Sequence, residues 1–256
     1  MPKIAGPLTN RPVWFDLSTS DLDAAKACYG ELFGWTFESF GPEMGHYTMA
    51  FLDGVPAAAL VPKQPGDDAT PTAWTVYFGV SDVDATVARI TAHGGSMLFP
   101  AMDVPGQGRM AIARDPEGAV FGLWQANPFP GAGVEGEPGA MCWCEVNSTN
   151  AAANGGFYGK IFDLAPTRMD ASPIEYYTLD ASDGQPVAGV LQMDENWAGI
   201  PSHWMPYFAV ADLAKADATF TRHGGTLLHG PIPSPYGTIM VGRDKQGAVL
   251  SYMAAN

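Results

Sequence analysis

What most constrains this chain is that it contains one pattern twice. The 256 residues match themselves at an offset of about 130 positions, with the order kept throughout. Trp14-Phe15-Asp16-Leu17 returns as Trp143-Cys144-Glu145-Val146, and Tyr29-Gly30-Glu31-Leu32-Phe33 as Tyr158-Gly159-Lys160-Ile161-Phe162. Asp53-Gly54-Val55-Pro56 is echoed by Asp183-Gly184-Gln185-Pro186, and Trp74 with Tyr77 to Val80 by Trp204 with Tyr207 to Val210. His93-Gly94-Gly95 matches His223-Gly224-Gly225, and Gly118-Ala119-Val120 matches Gly247-Ala248-Val249. Between the copies, Asn127 to Gly139 is rich in Gly, Pro and Glu and lacks apolar periodicity, which is linker composition. The expected division is a first module over residues 1–127, a linker over 128–138 and a second module over 139–256.

Inside each copy, local signals predict an α+β module built of two βαβββ units. Val13 to Leu17 reads as a strand, and Ser20 or Asp21 as the N-cap of a helix carrying Leu22, Ala25, Cys28, Tyr29, Leu32 and Phe33 at helical spacing. Gly34 sits where a helix-ending glycine belongs. Tyr47 to Leu52, the turn Asp53-Gly54 and Val55 to Val61 make a hairpin signal. The second half repeats the scheme. Trp74 to Val80 is a strand, Asp82 caps Val83 to Ala92, and strands follow near Met97 to Phe99, Arg109 to Arg114 and Ala119 to Gln125, the last entered through the turn Asp115-Pro116-Glu117-Gly118.

These residues resemble the vicinal-oxygen-chelate superfamily, which includes glyoxalases, bleomycin-resistance proteins and extradiol dioxygenases. The resemblance rests on Asp21 opening a helix with Tyr29 and Leu32-Phe33-Gly34-Trp35, the Val80 to Val83 junction, the Gly94-Gly95 helix end and the Asp115 to Gly118 turn. The second copy is looser, with Asp163-Leu164 in place of Gly-Trp and Asp244-Lys245-Gln246-Gly247 at the turn. It implies curved mixed sheets forming open cups, with a small ligand held inside. Metal-dependent members carry ligands about seven residues before each helix-opening Asp and about seven after the turn Asp. Those positions fall here on Trp14, Thr75 and Gly122, and in the second copy on Trp143, Met205 and Ser251. They lack the imidazole and carboxylate donors that a divalent site needs, so no metal and no other cofactor is expected.

Asp16 and Glu145 share a strand face with Trp14 and Trp143. Beside an indole, such a carboxylate has a raised pKa and can serve as a general base or bind a ligand. The alternative is a carboxylate satisfying nearby N–H groups. Strand parity also turns Trp14, Tyr77, Trp124, Trp143 and Tyr207 toward the concave faces, with Thr75, His203, Met205 and Ser251 beside them; they stack on a ligand or fill the core. Pro62 to Thr72 and Asp194 to Ser202, with Trp197, are loops that could cover a cup. His93 and His223 read as helix C-terminal residues, whereas His46 and His229 fall in loops or strand ends. Cys28, Cys142 and Cys144 read as buried reduced thiols.

The formal charge of −14 argues against a phosphate-backbone partner and an anionic membrane surface. It suits a neutral or cationic small molecule, or serves solubility alone. Met1 to Pro12 has no apolar core of a signal peptide, and no apolar run is long enough to span a bilayer, so the expected compartment is the cytoplasm. The functional expectation is metal-independent binding of a hydrophobic, flat aromatic molecule by a monomer or homodimer. Sequestration and accessory service to a secondary-metabolite tailoring step both fit it. The alternative is a glyoxalase-, isomerase- or hydroxylase-like enzyme using Asp16 or Glu145 as base.

Overall fold

The structure is a computed structural model that describes residues 6–64, 66, 70–170 and 174–255. The first five residues of the Met1 to Pro12 segment, and four positions of the Pro62 to Thr72 loop, lie outside them. The first half runs β1 (Arg11–Thr19), α1 (Leu22–Phe33), β2 (Thr36–Ser39), β3 (Thr48–Leu52), β4 (Val55–Pro62), β5 (Ala73–Gly79), α2 (Val83–Ala92), β6 (Ser96–Val104), β7 (Gly108–Arg114) and β8 (Val120–Ala126). The second half repeats this as β9 (Met141–Ser148), α3 (Ala151–Phe162), β10 (Ala165–Arg168), β11 (Tyr176–Asp180), β12 (Pro186–Gln192), β13 (His203–Ala209), α4 (Leu213–Arg222), β14 (Thr226–Ser234), β15 (Gly237–Arg243) and β16 (Val249–Ala254).

Each half forms one open eight-stranded mixed sheet, ordered β2-β3-β4-β1-β5-β8-β7-β6 and β10-β11-β12-β9-β13-β16-β15-β14. The two βαβββ units of a half meet where β1 pairs antiparallel with β5, and β9 with β13. β2 is an edge strand, largely exposed and without apolar alternation, which is why its sequence carries no strand signal. β6 runs beyond the apolar Met97 to Phe99 because irregular pairing at Phe99 carries it past Pro100 to Val104.

The helix boundaries follow from short polar side chains. Asp21, Asp82 and Asp212 each accept an N–H three residues on at 3.0 Å, and Asn150 does so at 3.3 Å. Gly34 ends α1 in the left-handed conformation, and Asp163 takes that conformation after α3. No helix among the described residues is long and apolar enough to cross a membrane.

One core joins both halves. It contains Phe15, Tyr29 and Phe78 from the first and Tyr158, Phe162 and Phe208 from the second. Phe78 stacks on Phe162 at 4.4 Å, and Phe33 meets Phe208 at 4.8 Å. The helix tyrosines also reach across. Tyr29 donates to Asp244 Oδ2 and Tyr158 to Asp115 Oδ2, both at 2.8 Å. The second oxygen of each aspartate accepts the N–H groups of its own turn, so each turn aspartate also clamps the opposite half. On the surface, α2 binds α3 through Arg89 and Asp163, and α4 binds α1 through Arg222 and His223 on Glu31.

With the helix side of each sheet buried in this way, the opposite concave face is left to form the cup. The 128–138 segment lies against the first half. Ala132 donates to Val13 O at 2.7 Å, Gly133 to Pro56 O at 2.8 Å, and Val134 is buried.

Candidate functional site

Strand alternation brings the residues singled out in the sequence into two equivalent groups. In the first sheet, register places Trp14 beside Tyr77, Asp16 beside Thr75, and Tyr77 beside Gly122, with Trp124 two residues further on β8. In the second, Trp143 lies beside Tyr207, Glu145 beside Met205, and Tyr207 beside Ser251; His203 follows, beside Asn147. Cys144 points the other way into the core, and burial pushes its thiol pKa well up.

The carboxylates are bound by tyrosines rather than by backbone or capping N–H groups. In the first cup, Tyr77 donates to Asp16 Oδ2 at 2.9 Å, Thr75 adds its hydroxyl, and the Trp14 indole N–H donates to the Tyr47 hydroxyl at 2.7 Å. In the second, Tyr207 donates to Glu145 Oε1 at 2.6 Å and Tyr176 to Oε2 at 2.8 Å. There the Trp143 indole donates to the Tyr176 hydroxyl at 2.9 Å. Burial raises the Asp16 pKa to about 7 although Tyr77 and Thr75 pull it down. It raises Glu145 as well, against the pull of Tyr207 and Tyr176. All four tyrosines are pushed well above their usual range by burial and the nearby carboxylate.

Tyr47 and Tyr176 lie outside the set of site residues expected from the sequence. The repeat itself could have revealed them, because each lies 33 residues beyond the tryptophan it binds. Gly189 is a further addition. A Cβ there would lie 1.9 Å from the Tyr176 hydroxyl, so only glycine lets Tyr176 reach Glu145. The first cup has Ala59 at the matching register position, and Tyr47 makes no hydrogen bond to Asp16 among the described residues.

The cups differ in how they are filled. Trp14, Tyr77, Trp124, Met49 and Ile112 form a buried cluster in the first, with Phe129 packed on it. The Phe129 ring meets Trp14 edge-on at 4.9 Å, and its carbonyl accepts the Trp124 indole N–H at 2.7 Å. In the second cup Trp143 is half-buried, as are Tyr176 and Met253. At one end Trp197, from the Asp194 to Ser202 loop, lies 6.2 Å from the His203 ring.

The fold family's metal does not fit these residues. A Cβ at Gly122 would lie 2.1 Å from the Tyr77 ring, so the position expected to supply a carboxylate is filled by an aromatic side chain. Met205 offers neither an imidazole nor a carboxylate at the matching position of the second cup, and among the described residues no three His, Cys, Asp or Glu side chains converge.

Comparison with known proteins agrees with this architecture. The Glyoxalase/Bleomycin resistance protein/Dioxygenase superfamily model matches residues 11–123. "Putative glyoxylase CFP32" of Mycobacterium tuberculosis is 37% identical over 99% of this chain and 98% of its own length. "Anthracycline biosynthesis protein DnrV" of Streptomyces peucetius is 36% identical over 94% of this chain and 91% of its own. Among solved structures, the Mn(II)-bound glyoxalase from Novosphingobium aromaticivorans superposes with a TM-score of 0.65 at 15% identity, covering 96% of this chain and 82% of that one. The 2,3-dioxygenase LapB from Pseudomonas sp. KL28 gives 0.66 at 13%, covering 98% and 94%. These structural likenesses speak to the fold, and the relatives of similar length to the lineage: the chain belongs to the glyoxalase/bleomycin resistance protein/dioxygenase superfamily.

Proposed function

We propose that this protein binds a hydrophobic, flat aromatic molecule in its second cup, without a divalent metal. The observation that carries this reading is Trp143, a half-buried indole fixed by Tyr176 on a concave face. Tyr207, Met205 and Met253 surround it with apolar, polarizable surface suited to a flat ring. The kinship with an anthracycline biosynthesis protein supports a polycyclic ligand. The net charge of −14 favours a neutral or cationic one. In this reading the protein sequesters its ligand or presents it to a tailoring step.

Calorimetric titration with an anthracycline tests the proposal. One site per chain is expected, lost in Trp143→Ala and kept in Trp14→Ala. Phe129→Ala should uncover the first cup and bring a weaker second site. No binding to the wild-type protein would overturn the reading.

The buried Glu145 supports a second reading, a carboxylate base acting on the bound molecule. Each of its oxygens already accepts a tyrosine hydroxyl, which stabilises the carboxylate and weakens it as a base. That is why binding ranks first. The enzymatic reading requires turnover that collapses in Glu145→Gln while ligand binding survives.

A further inference from the structure

We propose that the second cup selects flat aromatic ligands bearing a hydroxyl group, which donates to the side-chain carbonyl oxygen of Asn147. This rests on the binding reading above and adds the chemistry that the ligand must carry.

The tautomer of His203 fixes the orientation of Asn147. The histidine Nδ1 lies 2.8 Å from the Pro201 carbonyl oxygen, which can only accept, so Nδ1 carries the proton. The Nε2 of that neutral ring therefore accepts, and the group facing it at 3.2 Å is the Asn147 amide nitrogen. Burial lowers the His203 pKa and so favours the same neutral form. The asparagine is thereby held in one orientation, with Nδ2 toward histidine and Oδ1 turned away from it.

Asn147 is 1% exposed, and among the described residues no group donates to its Oδ1. It shares the concave face with Trp143 and Glu145 by strand alternation. A buried acceptor without a donor is destabilising. A ligand hydroxyl would relieve that. Ser251 Oγ, also on this face, is likewise buried and without a hydrogen bond of good geometry. In the first cup Ser18, Ala73 and Gly122 take the places of Asn147, His203 and Ser251. No buried polar side-chain atom of that cup is left unpartnered among the described residues. Asn147 Oδ1 and Ser251 Oγ, both on the second cup's face, thus have no counterpart in the first cup.

Geometry also sets the ligand's length. Four residues of strand separate Trp143 from Asn147, a rise of about 13 Å. A ring stacked on the indole reaches the amide only if the molecule is extended, on the scale of three fused rings, with the hydroxyl near one end.

The test compares two tricyclic probes of nearly equal shape at pH 6, where the phenols stay un-ionised: 2,6-dihydroxyanthraquinone and 2,6-dimethylanthraquinone. The wild-type protein should bind the hydroxylated probe about tenfold more tightly. Asn147→Leu should erase that preference while leaving affinity for the dimethyl probe within about twofold, with circular dichroism to confirm the fold. Asn147→Ala serves if the leucine variant does not fold. Equal wild-type affinities, or a preference that persists without Asn147, would overturn this inference and leave the cup reading standing. Failure of both probes to bind would instead overturn the cup reading itself.

Discussion

The two cups descend from one pattern and have diverged through a few atoms. Asp16 is one methylene shorter than Glu145, and Ala59 is one methyl larger than Gly189. As a result, the carboxylate of the first cup is held by Tyr77 and Thr75, and that of the second by two tyrosines. Gly122 lets the Tyr77 ring collapse onto β8, where Ser251 keeps a polar atom in the second cup. Phe129 then covers the first cup. The first cup is in this way closed by its own side chains. In the first cup, Trp14, Tyr77 and Trp124 are packed as core. In the second, Tyr207 is equally buried, and Trp143, Tyr176 and Met253 remain half-buried.

The largest expected effect of the buried carboxylates is on stability against pH. The Asp16 pKa of about 7 in the folded protein lies well above the 3.8 expected without burial. The folded state therefore holds this proton longer than the unfolded chain. Its contribution is fully present below pH ~4 and is lost as pH rises to ~7. Each pH unit crossed removes about 1.4 kcal/mol, to a total of up to about 4 kcal/mol. Asp16→Asn should flatten the fall in unfolding free energy across that window, measured by urea titration at a series of pH values. Glu145 shifts in the same direction, so Glu145→Gln should flatten a further part. A wild-type profile that does not fall over this window, or falls equally in Asp16→Asn, would mean that this carboxylate is hydrated in solution.

A smaller effect concerns the family's third ligand position. Gly122→Ser puts a Cβ against the Tyr77 ring, which is buried and tied to Asp16. Overpacking of this kind costs about 3 kcal/mol. The reverse change in the other cup, Ser251→Gly, meets no such contact and should cost under about 1 kcal/mol. Thermal melts of the two variants give the comparison directly. Equal losses would show that the cups are packed alike after all.

Much of this is legible in the bare sequence. The repeat, the caps at Asp21 and Asp82, the Asp53-Gly54 hairpin and the two groups of concave residues follow from local periodicity and strand parity. The repeat is a comparison of the chain with itself and the other signals are short-range, so none of them needs knowledge of the fold. Three features are not legible, because each depends on contacts between distant segments. Asp115 and Asp244 look like turn residues, and only the packing of the halves shows that each also binds a tyrosine of the other half. Phe129 reads as linker, and only its position over Trp14 reveals a plug. Asn147 carries no motif, and its role follows from the tautomer that Pro201 imposes on His203.

The substitution that adds the fewest atoms is also the most discriminating, because it makes the second cup resemble the first by one methyl group. Gly189→Ala places a Cβ where the Tyr176 hydroxyl now sits. A tyrosine tip can swing aside, so the stability loss should be about 2 kcal/mol, the worth of the two hydrogen bonds that Tyr176 makes. The loss in binding should be clearer. When Tyr176 leaves, Glu145 gives up one of its two donors and the Trp143 indole loses its anchor, so affinity for a tricyclic aromatic probe should fall several-fold by calorimetry. Unchanged affinity would mean that Trp143 needs no anchor and that the methyl at this position is not what sets the cups apart. In that case the plug at Phe129 would be the whole of the difference, and Phe129→Ala would be enough to make the first cup bind as the second does.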